Sequence, residues 1–135
     1  MGLVIDTNVF INAENGRFDL GSLTQYVHYG EAFIAAITVS ELLTGVHLAK
    51  AMAVRVRRSA FVEGVLGSVP VLDFTEEIAR TYAELYAYFL KKRTKPSSTV
   101  HDLQIAATAI SYGYAVLTSN IDDFEKVPGL LVECL

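Results

Sequence analysis

The chain has 135 residues, of which 52% are hydrophobic, and it carries a formal net charge of −4 at pH 7. This size and apolar content are typical of one well-packed domain, here residues 1–135, and they exclude an intrinsically disordered protein. The net acidic charge gives no general affinity for nucleic acid, although basic residues do cluster locally.

The sequence carries no signal for a membrane or a secretory pathway. No apolar stretch approaches the roughly 18 residues of a membrane span, and no basic segment followed by an apolar one marks a secretory signal. The single cysteine, Cys134, excludes an internal disulfide and a cysteine-ligated metal site. We therefore expect a cytoplasmic protein that does not associate with membranes.

Short apolar runs alternate along the chain with longer segments of helical periodicity. The predicted strands are residues 3–5, 32–36, 69–72 and 115–117, with a candidate fifth at 130–132. The predicted helices are residues 9–13, 20–29, 38–50, 52–66, 75–92 and 99–111. Strands separated by helices indicate a parallel sheet that is covered on both faces. We therefore predict an α/β fold with three layers, α/β/α, and a central parallel sheet of four to five strands.

Acidic residues recur where a predicted strand ends or a predicted helix begins. Asp6 follows the first strand, and Glu41 follows the second. Asp102 opens the helix that leads into the fourth strand, and Asp122 and Asp123 come after that strand. The carboxyl ends of parallel strands share one edge of the sheet, and right-handed crossovers bring helix N-termini to it. These acids can therefore converge on one place.

Two interpretations of these acids remain open at this point. Carboxylates about 4 Å apart repel by roughly 4 kcal/mol per pair at an effective dielectric constant of about 20, so a cluster favours a bound cation. Oxygen ligands suit Mg²⁺ or Mn²⁺, and such ions suit phosphodiester hydrolysis. Alternatively, Thr38–Glu41 and Thr99–Asp102 have the spacing of helix capping boxes, and Asp6 could cap the helix that follows it.

Four segments together resemble the motifs of PIN-domain ribonucleases. They are IDTNVFI at residues 5–11, TVSEL at 38–42, HDLQIAA at 101–107 and LTSNIDDF at 117–124. Chain length and motif order resemble the VapC toxins of toxin–antitoxin pairs. The resemblance implies a PIN-like fold and a Mg²⁺- or Mn²⁺-dependent endoribonuclease acting on RNA. It also implies a homodimer and a cognate antitoxin, which often inserts a peptide into the acidic groove.

Matched by position, Asp6, Glu41 and Asp102 correspond to the metal-binding and catalytic acids of the family. The fourth motif departs from the commoner pattern, because Asn120 stands where many members have an aspartate. We expect Asp123 to supply the missing carboxylate, with Asp122 as the alternative, and Asn120 to be at best a neutral oxygen ligand.

Other residues are candidates for orienting the acids or for contacting RNA. Thr7, Asn8 and Thr118 resemble the family's polar supports, which orient the acids. A basic run that precedes the Asp102 helix is a candidate RNA contact, since Lys and Arg bind phosphates. This run consists of Lys91, Lys92, Arg93 and Lys95. Its alternative role is to complement the dipole at a helix C-terminus. His101 is interpreted as a helix-start histidine, with a helper role at the acidic site as the alternative.

Three other functions compete with this interpretation. A phosphate-accepting receiver domain needs a lysine after a late strand, which the segment at 118–120 lacks. A haloacid-dehalogenase-like phosphatase needs a second acid two residues after Asp6, where Asn8 stands. A non-catalytic PIN fold that binds RNA or protein remains an alternative, because Asn120 weakens the fourth motif.

Overall fold

The computed structural model describes residues 1–92 and 98–135, and a five-stranded parallel sheet forms its centre. The strands are β1 (Gly2–Ile5), β2 (Glu31–Ala35), β3 (Val71–Leu72), β4 (Ala115–Thr118) and β5 (Val132–Cys134). Their order across the sheet is β3-β2-β1-β4-β5, and every neighbouring pair is parallel. The central strands β1 and β4 are buried along their whole length.

Helices cover both faces of the sheet. They are α1 (Thr7–Glu14), α2 (Ala36–Leu48), α3 (Met52–Ser68), α4 (Glu76–Lys91) and α5 (Val100–Tyr112). Two segments, Leu20–Tyr29 and Ile121–Asp123, form 3-10 helices. No helix in these described ranges has the length and apolar content needed to cross a membrane.

The period-two alternation of strand side chains decides which helices pack on which face. Val4 of β1 points into the apolar cluster formed with α4 and α5. Its neighbour Ile5 points the other way, into the cluster formed with α1, α2 and α3. Leu3 lies beneath the first 3-10 helix, together with Leu117 of β4. The predicted three-layer architecture with a parallel sheet is therefore confirmed.

The capping prediction is wrong for one helix and correct for another. Helix α2 begins at Ala36, directly after β2, so Thr38 lies inside the helix and Ala35 occupies the N-cap. Thr38 is fully buried and bonds to another hydroxyl instead. At α5, by contrast, Thr99 and Asp102 form the complete capping box.

Candidate active site

Asp6 lies at the carboxyl end of β1, between the strand and α1. Its backbone N–H donates to the carbonyl oxygen of Leu117 at 2.8 Å, which continues the pairing of β1 with β4. The side chain is only 2% exposed and makes no capping bond to α1. Instead, its Oδ2 accepts a hydrogen bond from Oγ1 of Thr118 at 2.9 Å. Asp6 therefore occupies the N-cap position of α1, but its carboxylate bonds to Thr118 of β4 and does not cap the helix.

The predicted acids lie near enough to Asp6 to affect its pKa. The pKa of Asp6 is raised to about 7, chiefly by burial and to a smaller extent by the nearby carboxylates of Asp102, Glu41 and Asp123, while the hydrogen bond from Thr118 lowers it. These three acids come from α5, from α2 and from the 3-10 helix after β4. Side chains from distant parts of the chain thus share one electrostatic environment around a buried carboxylate.

Glu41 is held by neighbours from two other helices. Oγ1 of Thr7 donates to its Oε1 at 2.8 Å. The Thr7 hydroxyl also lies 2.9 Å from the hydroxyl of Thr38, one turn before Glu41 on α2. Nδ1 of His101, on the first turn of α5, lies 3.3 Å from Oε2 of Glu41. Thr7 therefore has the supporting contact that was expected of it, and Thr38 and His101 join it.

Asp102 combines both of the roles that the sequence left open. Its Oδ2 accepts from the backbone N–H of Thr99 at 2.9 Å, while its own N–H donates to Oγ1 of Thr99 at 3.1 Å. The same carboxylate raises the pKa values of Asp6 and Asp123 through repulsion. A capping bond on one oxygen fixes the orientation of the group, so the cap also positions a site acid.

The fourth motif supplies Asp123 and a supporting amide. Burial raises the pKa of Asp123, as do the charges of Asp102 and Asp122, while a hydrogen bond from Asn120 lowers it. That bond runs from Nδ2 of Asn120 to Oδ2 of Asp123 at 3.1 Å. The backbone N–H of Asn120 donates to Oγ1 of Thr118 at 3.0 Å. Asn120 thus orients the carboxylate of Asp123, and the role of Asp123 as the fourth acid stays a prediction.

In the described part of the chain, the remaining candidates form no hydrogen bond or ion pair with these acids. Asn8 is half-buried on the first turn of α1 and makes no hydrogen bond to these acids in the described part of the chain. Lys91 and Lys92 are exposed at the end of α4, where Nζ of Lys92 lies 4.5 Å from the centre of the Tyr88 ring. Arg93 and Lys95 lie outside the described residues, so the RNA contact stays a prediction.

The structure adds a polar contact that the motif comparison did not single out. Nδ2 of Asn12 on α1 donates to Oγ of Ser119 at 3.0 Å, which ties α1 to the segment after β4. Asn12 lies close to the first motif in sequence, but nothing in the pattern of residues around it indicates a partner 107 positions away.

The donor set fits a hard divalent cation. Within residues 1–92 and 98–135, no three His, Cys, Asp or Glu side chains are already arranged to hold a metal ion. The residues that face one another nevertheless offer carboxylate oxygens, which Mg²⁺ and Mn²⁺ prefer. Burial of the Asp6 carboxylate, together with the neighbouring acids, raises its pKa, and a bound cation would favour the charged form instead.

Comparison with known proteins agrees with this geometry. The model of the PIN domain matches residues 3–130, so the chain belongs to the PIN domain family. It is 40% identical to ribonuclease VapC1 of Rickettsia felis over 132 residues, which cover 98% of this chain and 95% of that protein. The resemblance drawn from the four motifs is therefore confirmed.

Two solved structures share the fold. VapBC2 from Rickettsia felis, bound to a DNA fragment from its promoter, superimposes with a TM-score of 0.87 at 24% identity and covers 100% of this chain and 99% of that one. DNA-bound VapBC from Salmonella typhimurium gives a TM-score of 0.85 at 28% identity, with 99% and 98% covered. At 24% identity the first comparison speaks for the fold alone.

Proposed function

We propose that this chain is a VapC-type endoribonuclease toxin that hydrolyses RNA phosphodiester bonds with the help of Mg²⁺ or Mn²⁺. The observation that carries the proposal is the buried carboxylate of Asp6, whose pKa is raised to about 7 by burial and by three converging acids. The match to a named VapC ribonuclease along nearly the whole chain supports the same activity.

In this proposal Asp6, Glu41, Asp102 and Asp123 hold the divalent ion, and Asn120 orients Asp123 or adds a neutral oxygen. When bound, such an ion supplies an activated water and offsets negative charge on the phosphate. The protein's own task is to hold the acids in place before RNA arrives. No side chain is proposed as a covalent nucleophile.

The threonine hydroxyls perform the positioning. Thr118 donates to Asp6, and Thr7 donates to Glu41. Both hydroxyls are buried, so they cannot exchange these partners readily for water. A proton on Asp6 competes with a cation for the same oxygens, because metal ligands must be deprotonated. Binding of the ion is therefore expected to release a proton from this carboxylate.

RNA and protein partners follow from the same proposal. RNA must approach a cluster of carboxylates, and the exposed ammonium groups of Lys91 and Lys92, continued in sequence by Arg93 and Lys95, would contact its phosphates. VapBC is a family of toxin–antitoxin systems, and the VapBC structures that share this fold support a cognate antitoxin here. We also propose a homodimer, as the family resemblance implies.

A cleavage assay tests the activity. Labelled RNA is incubated with the wild type, with Asp102→Asn and with the control Glu31→Gln, which removes an exposed acid at the opposite end of β2. We expect Mn²⁺-dependent cleavage by the wild type and the control, and its loss in Asp102→Asn. Cleavage that survives a chelator would indicate a contaminant. Binding without cleavage by the wild type would favour the alternative, a non-catalytic PIN-fold RNA- or protein-binding module.

A further inference from the structure

The Glu41 carboxylate is contacted at both oxygens by side chains from two different helices. Thr7, on α1, donates to Oε1 at 2.8 Å. His101, on α5, places Nδ1 3.3 Å from Oε2. Glu41 itself lies on α2, so its carboxylate is the point at which three helices meet. A glutamate has three rotatable bonds, and these two contacts restrict it to one orientation.

Neither core packing nor helix capping explains the position of the His101 side chain. Its side chain is 52% exposed, against 29% for Glu41, so the imidazole is not needed to fill the core. The capping of α5 is performed by Thr99 and Asp102 without it. The contact with Glu41 spans 60 positions of sequence and crosses from α5 to α2. The ring therefore contacts a side chain of the neighbouring helix α2 and takes no part in capping its own helix.

The contact also lies on an open groove. A cavity of about 450 Å³ beside the acids is lined by Ile11, Ile37, Ser40, Glu41, Thr44 and His101. Glu41 is thus accessible from this side, and the imidazole stands next to its outer oxygen. Without His101, Oε2 would face the groove with solvent as its neighbour, and the carboxylate would be held only at Oε1, by Thr7.

We propose that His101 is a positioning residue, which donates its Nδ1–H to Oε2 of Glu41 and holds this carboxylate ready for the divalent cation. The inference rests on the proposed function, because it assumes that Glu41 binds the ion. Partners that orient a metal ligand typically change metal affinity by about 10- to 100-fold when they are removed. His101 is expected to act in this range and to do so before RNA binds.

The test measures Mn²⁺ binding to the full chain without RNA, by the electron paramagnetic resonance signal of free Mn²⁺. Four proteins are compared: wild type, His101→Ala, His101→Asn and the control His47→Ala. Asn is informative because its Nδ2 occupies the place of the imidazole Nδ1 and can donate the same hydrogen bond. His47 is an exposed histidine on α2, the helix of Glu41, and has no contact with that carboxylate.

We expect the Mn²⁺ dissociation constant to rise by about 10-fold in His101→Ala, to recover largely in His101→Asn and to stay unchanged in His47→Ala. Circular dichroism of the metal-free proteins verifies folding. If His101→Ala does not fold, His101→Leu keeps the volume without the donor and carries the same expectation.

Three results would overturn the inference. Wild-type Mn²⁺ affinity in His101→Ala would mean that the ring does not position Glu41. Equal weakening in the Ala and Asn variants would exclude the donor role. If Mn²⁺ affinity is unchanged and a cleavage assay of His101→Ala shows a raised KM for RNA, His101 would be assigned to RNA binding instead. Failure of the proposed function is distinguishable, because the wild type itself would then bind no Mn²⁺.

Discussion

The hydroxyl of Thr118 lies 2.9 Å from Oδ2 of Asp6, although 112 positions separate the two residues in the chain. Asp6 directly follows Ile5, and Thr118 directly follows Leu117. Ile5 and Leu117 pair in register on the neighbouring strands β1 and β4. Both residues are almost completely buried. The sheet register alone therefore brings this donor to this carboxylate, and it does so at the point where the other acids converge.

The first prediction concerns Asp6→Asn in the absence of metal. Since the folded protein keeps a proton on Asp6 up to about pH 7, while the unfolded chain releases it near pH 4, stability falls as pH rises through this window. A shift of this size corresponds to about 4 kcal/mol. The variant should lack this decline, melt at a higher temperature than the wild type at pH 8 and lose cleavage. Melting curves between pH 4 and pH 8 check this.

Asp73→Asn is the control for this experiment, because Asp73 is exposed after β3. It should leave the pH dependence of melting as in the wild type. A lower melting temperature for metal-free Asp6→Asn at pH 8 would mean that the Asp6 carboxylate stabilises the fold, as a helix cap does, and that the cost of burying its charge near other acids is not the dominant effect.

The second prediction concerns the addition of Mn²⁺. A ligand at 100 times its dissociation constant stabilises the folded state by about 2.7 kcal/mol. Because Asp6 must lose its proton to bind a cation, the rise in melting temperature should be larger at pH 8 than at pH 6. Thermal melts with and without Mn²⁺ at both pH values measure it. A rise of the same size at both would mean that Asp6 takes no part in binding.

The third prediction compares Thr118→Val with Thr118→Ser. Valine keeps the shape of this fully buried side chain but removes the donor to Asp6, and also the acceptor for the N–H of Asn120. At pH 8, where Asp6 is ionised, loss of a hydrogen bond to a charged group should cost about 1.5–3 kcal/mol. Urea unfolding should show this loss for valine and a smaller one for serine. Equal stability of wild type and Thr118→Val would contradict it.

The fourth prediction concerns Asn120→Asp, which restores the acid found in the commoner form of the motif. The change replaces the amide that donates to Asp123 with a second negative charge beside it. We expect the metal-free protein to melt at a lower temperature than the wild type and the stabilisation by Mn²⁺ to increase. If the metal-free melting temperature rises instead, repulsion between positions 120 and 123 is not significant.

Much of the fold could be predicted because its signals are local. The apolar run of β1 and the helical periodicity of residues 75–92, which form most of α4, are each visible in neighbouring residues. The alternation of strands with helices then predicts a parallel sheet. The convergence of Asp6, Glu41 and Asp102 could also be anticipated, because strand ends share an edge. The structure brings these three acids into one electrostatic environment.

The errors and omissions arise where one local pattern fits two structures. The Thr-x-x-Glu spacing of Thr38 and Glu41 marks a capping box at a helix start, but inside a helix it merely places two side chains on one face. Because α2 begins directly after β2, with no linker between them, Thr38 and Glu41 lie inside the helix and do not form a capping box. The contact of His101 with Glu41 depends on how α5 packs against α2, and no periodicity in the sequence carries that information.

The direct junction of Ala35 and Ala36 makes the angular placement of Glu41 depend on residue count. One extra residue at this junction would turn the helix by about 100° relative to the sheet. Glu41 would then point away from Thr7. The apolar side chains of α2, Leu42 and Val46, would leave the cluster that they form with Ile5 of β1 and Ile34 of β2. An insertion at this junction would therefore disturb both the site and the core, whereas surface loops elsewhere tolerate added residues.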